Sequence, residues 1–138
     1  MSLADIAQDI VDEFDFLDDW EDRYQHLIGM GRTLASLDPS IMIDENRLRG
    51  CQSVVHFKAD YADGRMQYQA GSDAAIVQGL IALLMRVYSG QPPADIMAFP
   101  PEFLKQIGLD EHLSPTRKNG LASMVTAIMA EAKANISV

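Results

Sequence analysis

The chain has 138 residues, of which 48% are hydrophobic, and its 20 acidic against 11 basic residues give a net charge of −9. This length and apolar content predict one domain, spanning residues 1–138, with a hydrophobic core of its own. The acidic charge makes nucleic acid a poor partner, because phosphate binding needs a basic surface, and no apolar run approaches the roughly 20 residues that span a membrane.

Two amphipathic helices are predicted at the start of the chain. Apolar residues recur at helical spacing over residues 3–17, and Ser2 is a candidate for capping this first helix. The second helix is predicted over residues 20–37, and it contains Gly29 and Gly31. Since glycine weakens a helix by roughly 1 kcal/mol relative to alanine, the two glycines indicate either close packing or a kink.

Acidic residues dominate this N-terminal region and precede the first basic residue, Arg23. They are Asp5, Asp9, Asp12, Glu13, Asp15, Asp18, Asp19, Glu21 and Asp22. Such a run is typical of a solvated helix face, and it also fits a docking surface for a basic patch on a partner. The sequence leaves both interpretations open.

A β-hairpin is predicted in the middle of the chain, after a turn at Asp38-Pro39-Ser40 and an irregular segment over residues 41–50. Residues 53–60 alternate in the manner of a strand, and residues 65–70 suit a second, antiparallel strand. The turn between them is Ala62-Asp63-Gly64. Because two strands alone are marginally stable, a third strand or a helix must pack over the hairpin.

The second half of the chain is predicted to be helical. A helix over residues 74–88, with Ser72 as its N-cap, is apolar nearly all round and is therefore expected at the centre of the core. Short helical pieces are predicted at 94–98 and 102–107, and Ser114-Pro115 begins a final helix. Helices, one antiparallel hairpin or small sheet, and further helices predict a fold of the α+β class.

Cys51 is the single cysteine of the chain, and it directly follows Gly50. A glycine lets the backbone turn sharply, so the next side chain can lie at the tip of a loop. Positive charge from Arg47 and Arg49 is expected to favour the thiolate, which is the reactive form. A lone cysteine is often a small buried hydrophobe, so the residues alone leave a reactive and a structural role equally open.

Other chemistry for Cys51 has less support. A cysteine hydrolase needs a histidine base near the sulfur, and none of His26, His56 and His112 lies in a motif that indicates one. One cysteine and scattered histidines show no metal-ligand spacing, and there is no glycine-rich phosphate loop, so neither a metal nor a cofactor is expected. Sulfur transfer between proteins requires only a thiolate that can reach a donor persulfide.

The stretch Arg47-Leu48-Arg49-Gly50-Cys51-Gln52-Ser53 resembles the sulfur-acceptor loop of the SufE family, in which SufE-like and CsdE-like proteins are found. Residues 71–80 resemble the helix start that follows the family's hairpin, and residues 112–121 resemble the opening of its last helix. Similar order and spacing extend from about residue 20 to residue 132, so the chain is identified as a member of that family.

The resemblance implies helices packed on a small antiparallel sheet, a fold shared with NifU-type cluster scaffolds. It implies that Cys51 accepts persulfide sulfur from a SufS-type cysteine desulfurase, that the protein stimulates this enzyme, and that sulfur passes to a SufBCD-type scaffold for iron–sulfur cluster assembly. The protein would then be an accessory carrier and not itself an enzyme. The alternative is an interaction module that activates the desulfurase without carrying sulfur.

The candidate site consists of Cys51 and a set of partner-contacting or loop-supporting residues. These are Arg49, Gly50, Gln52, Ser53, Asp73, His112 and Arg117. Asp73 equally fits an acid placed near a helix start, and His112 equally fits a structural histidine. Arg117 gains nothing from the helix dipole in the third helical position, so it is expected beside the cysteine loop, where it would stabilise anionic sulfur. Neighbouring apolar side chains are expected to shelter Cys51.

A cytoplasmic location is expected from two features of the sequence. The N-terminal region lacks the basic segment followed by an apolar one that marks a secretory signal. A single cysteine also cannot form an internal disulfide, which agrees with a reducing compartment.

Overall fold

The computed structural model describes residues 2–136, apart from the side chain of Asp110, so residues 1, 137 and 138 of the predicted domain lie outside it. In the described part, α-helices pack around one two-stranded antiparallel sheet, which confirms the predicted α+β class. The elements are α1 Leu3–Asp15, α2 Trp20–Thr33, β1 Val55–Ala62, β2 Arg65–Ser72, α3 Ala75–Tyr88, α4 Pro93–Met97, α5 Phe103–Gln106, α6 Leu109–His112 and α7 Pro115–Ala134.

The first helix begins as predicted but ends two residues early, at Asp15, and the second helix also ends earlier than predicted. The Ser2 hydroxyl accepts a hydrogen bond from the Asp5 amide at 3.2 Å and so caps α1. α2 ends at Thr33, because Leu34 has an extended backbone with a ψ of 132°. Leu37 continues the helical spacing of apolar residues, but it packs against Gly71 from an extended segment.

The helices α2 and α3 cross at two glycines. A Cβ built on Gly31 would lie only 2.8 Å from the amide nitrogen of Gly79, and a Cβ on Gly79 would overlap the Leu27 carbonyl. A Cβ on Gly29, by contrast, would meet no atom within 4 Å. Of the two interpretations for the α2 glycines, close packing is therefore confirmed at Gly31.

The β-hairpin has the predicted order, and a helix rather than a third strand packs over it. Asp63 and Gly64 form its two-residue turn with φ values of 56° and 79°, as a type I′ turn requires. β2 extends two residues further toward the open end than predicted, whereas β1 begins and ends two residues later than predicted, so that Val55 lies opposite Ser72 and Ala62 opposite Arg65. Alternate residues of β2 are buried against α3, namely Met66, Tyr68 and Ala70.

Both outer edges of the hairpin are partly bonded by flanking segments. The Met66 amide on β2 donates to the Gln91 carbonyl at 2.9 Å, and its carbonyl accepts from the Gly90 amide at 2.7 Å. At the start of β1, the Leu48 amide donates to the Val55 carbonyl at 2.8 Å. Segments before and after the sheet therefore satisfy edge groups that would otherwise face water.

Helix α3 lies at the centre of the core, as predicted, but Ser72 is not its N-cap. The N-cap residue is Ala74, and no side chain caps this end. The Ser72 hydroxyl instead accepts from the Ala74 amide at 3.2 Å, and the Ser72 amide donates to Gln78 Oε1 at 2.7 Å. The predicted cap is wrong because Ser72 remains paired with Val55 at the end of β2.

The C-terminal helices follow the predicted order, with one additional element. α6 was not predicted, and it is separated from α5 by Gly108, which has a φ of 81°. α7 begins as predicted: Pro115 is its first residue, and the Ser114 hydroxyl accepts from the Arg117 amide at 3.3 Å. None of the helices in the described part is both long and apolar enough to cross a membrane.

Candidate functional site

The loop that carries Cys51 precedes β1 and lies against α7. Gly50 in this loop has a φ of 85°, a conformation that favours glycine. A Cβ at Gly50 would lie 2.5 Å from Oγ of Ser123 on α7, far inside a normal contact. Glycine is therefore required here for its backbone conformation and also for the close approach of the loop to the helix.

Cys51 is half-buried, and its Sγ donates to the main-chain carbonyl of Gly120 on α7 at 3.7 Å. This is a weak hydrogen bond, but it requires the protonated thiol, because a thiolate has no hydrogen to donate. Burial raises the pKa of the Cys51 thiol above its usual value, since desolvation penalises the charged form. The geometry and the pKa both favour a neutral thiol in this conformation.

A cavity of about 440 Å³ opens beside Cys51. The cysteine loop contributes polar groups to its wall, α3 contributes apolar ones, and α7 contributes both. The wall includes Gln52, Ser53, Val77, Leu80, Arg117 and Leu121. The cysteine thus faces a space with an apolar side, as expected for a sheltered thiol, and with polar groups that can meet a charged sulfur.

Four of the predicted site residues meet at this cavity. Gln52 and Ser53 reach it from the cysteine loop, and Arg117 reaches it from the first turn of α7, beside Cys51. The juxtaposition expected of Arg117 and the cysteine loop is therefore present. Sequence alone could suggest it only because Ser114-Pro115 fixes where α7 begins.

The expected effect of the loop arginines on Cys51 is wrong for this conformation. Arg47 and Arg49 are exposed and do not line the cavity. Solvent screens charges in such positions, whereas burial acts directly on the sulfur. The pKa of Cys51 is consequently raised by desolvation and not lowered by the arginines.

Asp73 lies apart from Cys51, on a second cavity of about 360 Å³ that it shares with Val54 and His56. It is exposed and precedes the first residue of α3, so the interpretation as an acid near a helix start agrees with its position. Since Val54 follows the cysteine loop, Asp73 borders the loop's far end but not the sulfur.

His112 also lies away from the cavity of Cys51, so of its two interpretations the one that makes it a residue supporting the cysteine loop directly is wrong. Its ring stacks on the Trp20 indole with 4.0 Å between centroids, and its carbonyl accepts from the Tyr24 hydroxyl at 2.6 Å. The reason is that α6, the unpredicted helix, ends at His112 and packs against the start of α2. The alternative, a structural histidine, fits the geometry.

Two features of the site were not found by sequence reasoning. The Gly120 carbonyl accepts from Cys51, and a main-chain acceptor leaves no mark in a sequence. Leu80 and Leu121 line the cavity, and their helical spacing indicated only that they are buried. In both cases the missing information is how α3 and α7 are placed around the loop.

The described residues offer no metal centre and no base for Cys51. No group of three or more His, Cys, Asp or Glu side chains there could hold a metal ion. His26 contacts Glu13, His56 lies on the second cavity and His112 stacks on Trp20, so none of the three histidines reaches the cavity of Cys51. A hydrolase triad is therefore absent from the described part of the site.

The fold and the site together define a small α+β domain that presents one cysteine, with no cluster of metal-ligating side chains and no histidine lining its cavity in the described residues. The family model named SufE, described as an Fe-S metabolism associated domain, matches residues 8–132. The chain belongs to the SufE family. Membership associates it with iron–sulfur metabolism.

Relatives support the same assignment. A SufE-like protein of Rhizobium etli is 44% identical over 136 residues, covering 95% of this chain and 91% of the relative. One of Rhizobium meliloti is 38% identical, covering 92% and 94%. The SufE-like protein 1, chloroplastic/mitochondrial, of Arabidopsis thaliana is 35% identical over 91% of this chain but only 34% of the plant protein.

A solved structure supports the fold. The solution structure of a hypothetical protein from Thermus thermophilus superposes with a TM-score of 0.77, covers 94% of each chain and shares 23% sequence identity. The similarity at this identity concerns the arrangement of helices around the hairpin, as the α+β prediction described it.

Proposed function

We propose that this protein is a sulfur carrier that accepts persulfide sulfur on Cys51 from a SufS-type cysteine desulfurase. In this proposal it stimulates the desulfurase and passes the sulfur to a SufBCD-type scaffold for iron–sulfur cluster assembly, in the cytoplasm. The observation that supports it best is the single cysteine on a glycine-dependent loop, beside a cavity with room for further sulfur. The membership of the SufE family supports the same pathway.

The transfer step is a thiol–persulfide exchange. The Cys51 thiolate attacks the terminal sulfur of the donor persulfide, a new S–S bond forms, and the donor's S–S bond breaks. The donor leaves as a thiolate and can take up the proton that Cys51 gives up, so the exchange needs no external oxidant or reductant. Because burial disfavours the Cys51 thiolate, we expect ionisation after the loop leaves α7 and enters the donor's site.

The remaining site residues have separate roles in the proposal. Arg117 stabilises the anionic persulfide once it forms, because it lines the cavity of Cys51 and carries a positive charge. Gln52 and Ser53 supply polar groups for the same sulfur. Arg49 and Asp73 are exposed near opposite ends of the loop and contact the partner, and Gly50 permits the loop conformation.

One observation favours a second candidate function. The half-buried Cys51, with its raised thiol pKa, is less reactive in this conformation than an exposed cysteine. A protein that only binds and activates the desulfurase would need no reactive thiol. Cys51 would then be dispensable for stimulation.

A mass measurement separates the two functions. The protein is mixed with a SufS-type desulfurase and free cysteine, its intact mass is measured, and Cys51→Ser is treated in parallel. For the carrier we expect a gain of sulfur that reductant reverses and that the variant lacks. Faster alanine release without that gain would identify an activator. If neither a gain of sulfur nor faster alanine release is seen, both functions are refuted for this enzyme pair.

A further inference from the structure

Trp20 at the start of α2 packs directly against the segment that precedes α7. Its indole is stacked on the His112 imidazole, with 4.0 Å between centroids and an angle of 21° between planes. Gly108 approaches the same indole so closely that a Cβ there would lie 2.9 Å from Cζ2 of Trp20. Since α6 spans Leu109–His112, Trp20 contacts residues at both ends of this short helix.

The main chain around α6 is also bonded to α2. The Tyr24 hydroxyl donates to the His112 carbonyl at 2.6 Å, and the Arg23 guanidinium donates to the Ile107 carbonyl at 3.1 Å. An isolated helical turn is not stable by itself, because its nucleation costs more than its few hydrogen bonds return. The position of α6 therefore depends on its contacts with α2 and with the core.

The first turn of α7 follows immediately and forms part of the Cys51 cavity. Ser114 caps α7 two residues after His112, and the cavity wall includes Ser114 and Arg117. Only Leu113, which is buried in the core, separates His112 from Ser114, and a chain of two residues spans at most about 7 Å, so the position of His112 limits where Ser114 can lie. The carbonyl that accepts from Cys51 belongs to Gly120, on the same helix.

We propose that Trp20, Tyr24 and His112 act as positioning residues, which hold the first turn of α7 where it closes the cavity of Cys51. The proposal rests on the proposed function for the importance of that cavity, but its geometry does not depend on the partner. It assigns to His112 an indirect role at the site: the ring touches Trp20 and not the sulfur. Loss of the stack loosens the wall that carries Arg117.

The reactivity of Cys51 in the free protein tests this role. We expect His112→Ala to increase the rate of Cys51 alkylation by iodoacetamide about 2- to 10-fold. This is the factor by which the loss of one aromatic pair would raise the population of molecules in which the cavity wall is open. The alkylation profile against pH is expected to shift to lower pH, because a looser wall desolvates the thiol less. His112→Phe keeps a stacking ring and is expected to restore both the rate and the profile.

Two further variants separate positioning from general destabilisation. Tyr24→Phe removes only the hydroxyl that bonds the His112 carbonyl, and we expect a smaller increase in the same direction. His26→Ala is the matched control, because His26 contacts Glu13 and Phe14 on α1 instead. An unchanged alkylation rate in folded His112→Ala and in Tyr24→Phe would overturn the proposal, as would an equal increase in His26→Ala.

The measurement is independent of the sulfur donor, so the two proposals fail separately. If wild-type protein gains no sulfur from the desulfurase but His112→Ala still exposes Cys51, the carrier function is refuted and the positioning role stands. If wild-type protein gains sulfur but the His112 and Tyr24 variants leave Cys51 unchanged, the carrier function stands and the positioning role is refuted.

Discussion

Gly50 connects the backbone of the cysteine loop to the surface of α7. Its φ of 85° and the nearby Ser123 hydroxyl leave no room for a side chain. Because Cys51 is the next residue, the direction of its side chain depends on this local conformation. The Gly120 carbonyl and the cavity are within reach of the sulfur only while the loop is seated in this way.

A pair of glycine substitutions tests this dependence. Gly50→Ala is expected to lower the free energy of unfolding by about 1–2 kcal/mol, because alanine is strained in the left-handed backbone conformation. The added Cβ is also expected to displace the loop from Ser123. We expect faster alkylation of Cys51 as the visible result. Gly64→Ala is the control, because Gly64 has a φ of 79° but no atom within 4 Å of its would-be Cβ. Equal alkylation rates in the two variants would show that the loop is not held by this contact.

At the residue scale, the sequence revealed the cysteine loop but not its electrostatics. A glycine before the single cysteine predicts a sharp turn, and the structure has one. The arginines suggested a lowered thiol pKa, yet the pKa is raised, because it depends on how far the sulfur is buried. Burial of Cys51 results from α3 and α7, which are distant in sequence, so local charge alone could not predict its sign.

At the element scale, the crossing of α2 and α3 sets the distance between the N-terminal helices and the core. Gly31 and Gly79 allow the two backbones to approach so closely that no side chain fits between them. Ten of the α3 residues are buried, and α3 also lines the Cys51 cavity. A displacement of α2 would therefore also displace α3 at that cavity. Small residues at this crossing are therefore part of the fold's geometry.

Alanine substitutions at Gly79 on α3 and Gly29 on α2 are expected to change the stability of the protein in opposite directions. Gly79→Ala forces a Cβ onto the Leu27 carbonyl and is expected to destabilise the protein by about 1–3 kcal/mol, as overpacking does. Gly29→Ala meets no neighbour and is expected to stabilise it by about 0.5–1 kcal/mol, through helix propensity alone. Urea unfolding measures both values. Destabilisation of similar size in both variants would contradict the close crossing.

Elements were predictable where local chemistry defines them and less so where tertiary packing does. Ser114-Pro115 marks the start of α7 in the sequence, and the helix begins there. The helical spacing of Leu34 and Leu37 predicts that α2 continues to residue 37. In the structure, Leu37 packs against Gly71 of the sheet, and the segment after Thr33 is not helical. α6 has a single turn, which is too short for a periodic pattern to indicate.

At the scale of the whole molecule, Glu13 joins three helices. Its carboxylate accepts from Arg86 on α3 at 3.1 Å, and His26 on α2 lies 3.1 Å from the same oxygen. The hydrogen bond from Arg86 is the main reason that the pKa of Glu13 lies below its usual value of 4.5. Within the acidic N-terminal run, Glu13 therefore has a structural task, whereas most of the run is exposed.

This contact predicts a pH dependence of stability with a defined sign. A lowered folded pKa means that the carboxylate stabilises the protein above pH 4.5, and that this stabilisation is lost as the pH falls through the folded pKa. Glu13→Gln is expected to lower the free energy of unfolding by about 0.5–1 kcal/mol at neutral pH. This value allows for solvent screening, because the pair of Glu13 and Arg86 is partly exposed. The difference from wild type is expected to shrink in acid.

Urea unfolding between pH 3 and pH 7 would measure this difference. Asp12→Asn, an exposed position on the same helix that contacts Gln8, is the control and is expected to stay close to wild type at each pH. A constant difference between Glu13→Gln and wild type over the whole range would contradict an ionic role for Glu13.

The whole-molecule prediction from sequence reached the α+β class and the order of the main elements. It left open whether a third strand or a helix covers the hairpin, and α3 proves to be the cover. Periodicity identified α3 as apolar nearly all round, but a buried helix can pack on many partners. Which partner it takes depends on the Gly31–Gly79 crossing and the hairpin register, which are visible only in the folded chain.

The partly bonded edges of the hairpin have a consequence for self-association. An open strand edge is a template on which another chain can add a strand, the first step toward cross-β aggregation. Here β2 is blocked at Met66 by the Gly90-Gln91 turn, and the start of β1 is covered by Leu48. The rest of β1 carries the exposed charges of Lys58 and Asp60, which oppose an added strand. A sheet of only two strands in the described residues thus offers a poor template for fibril growth.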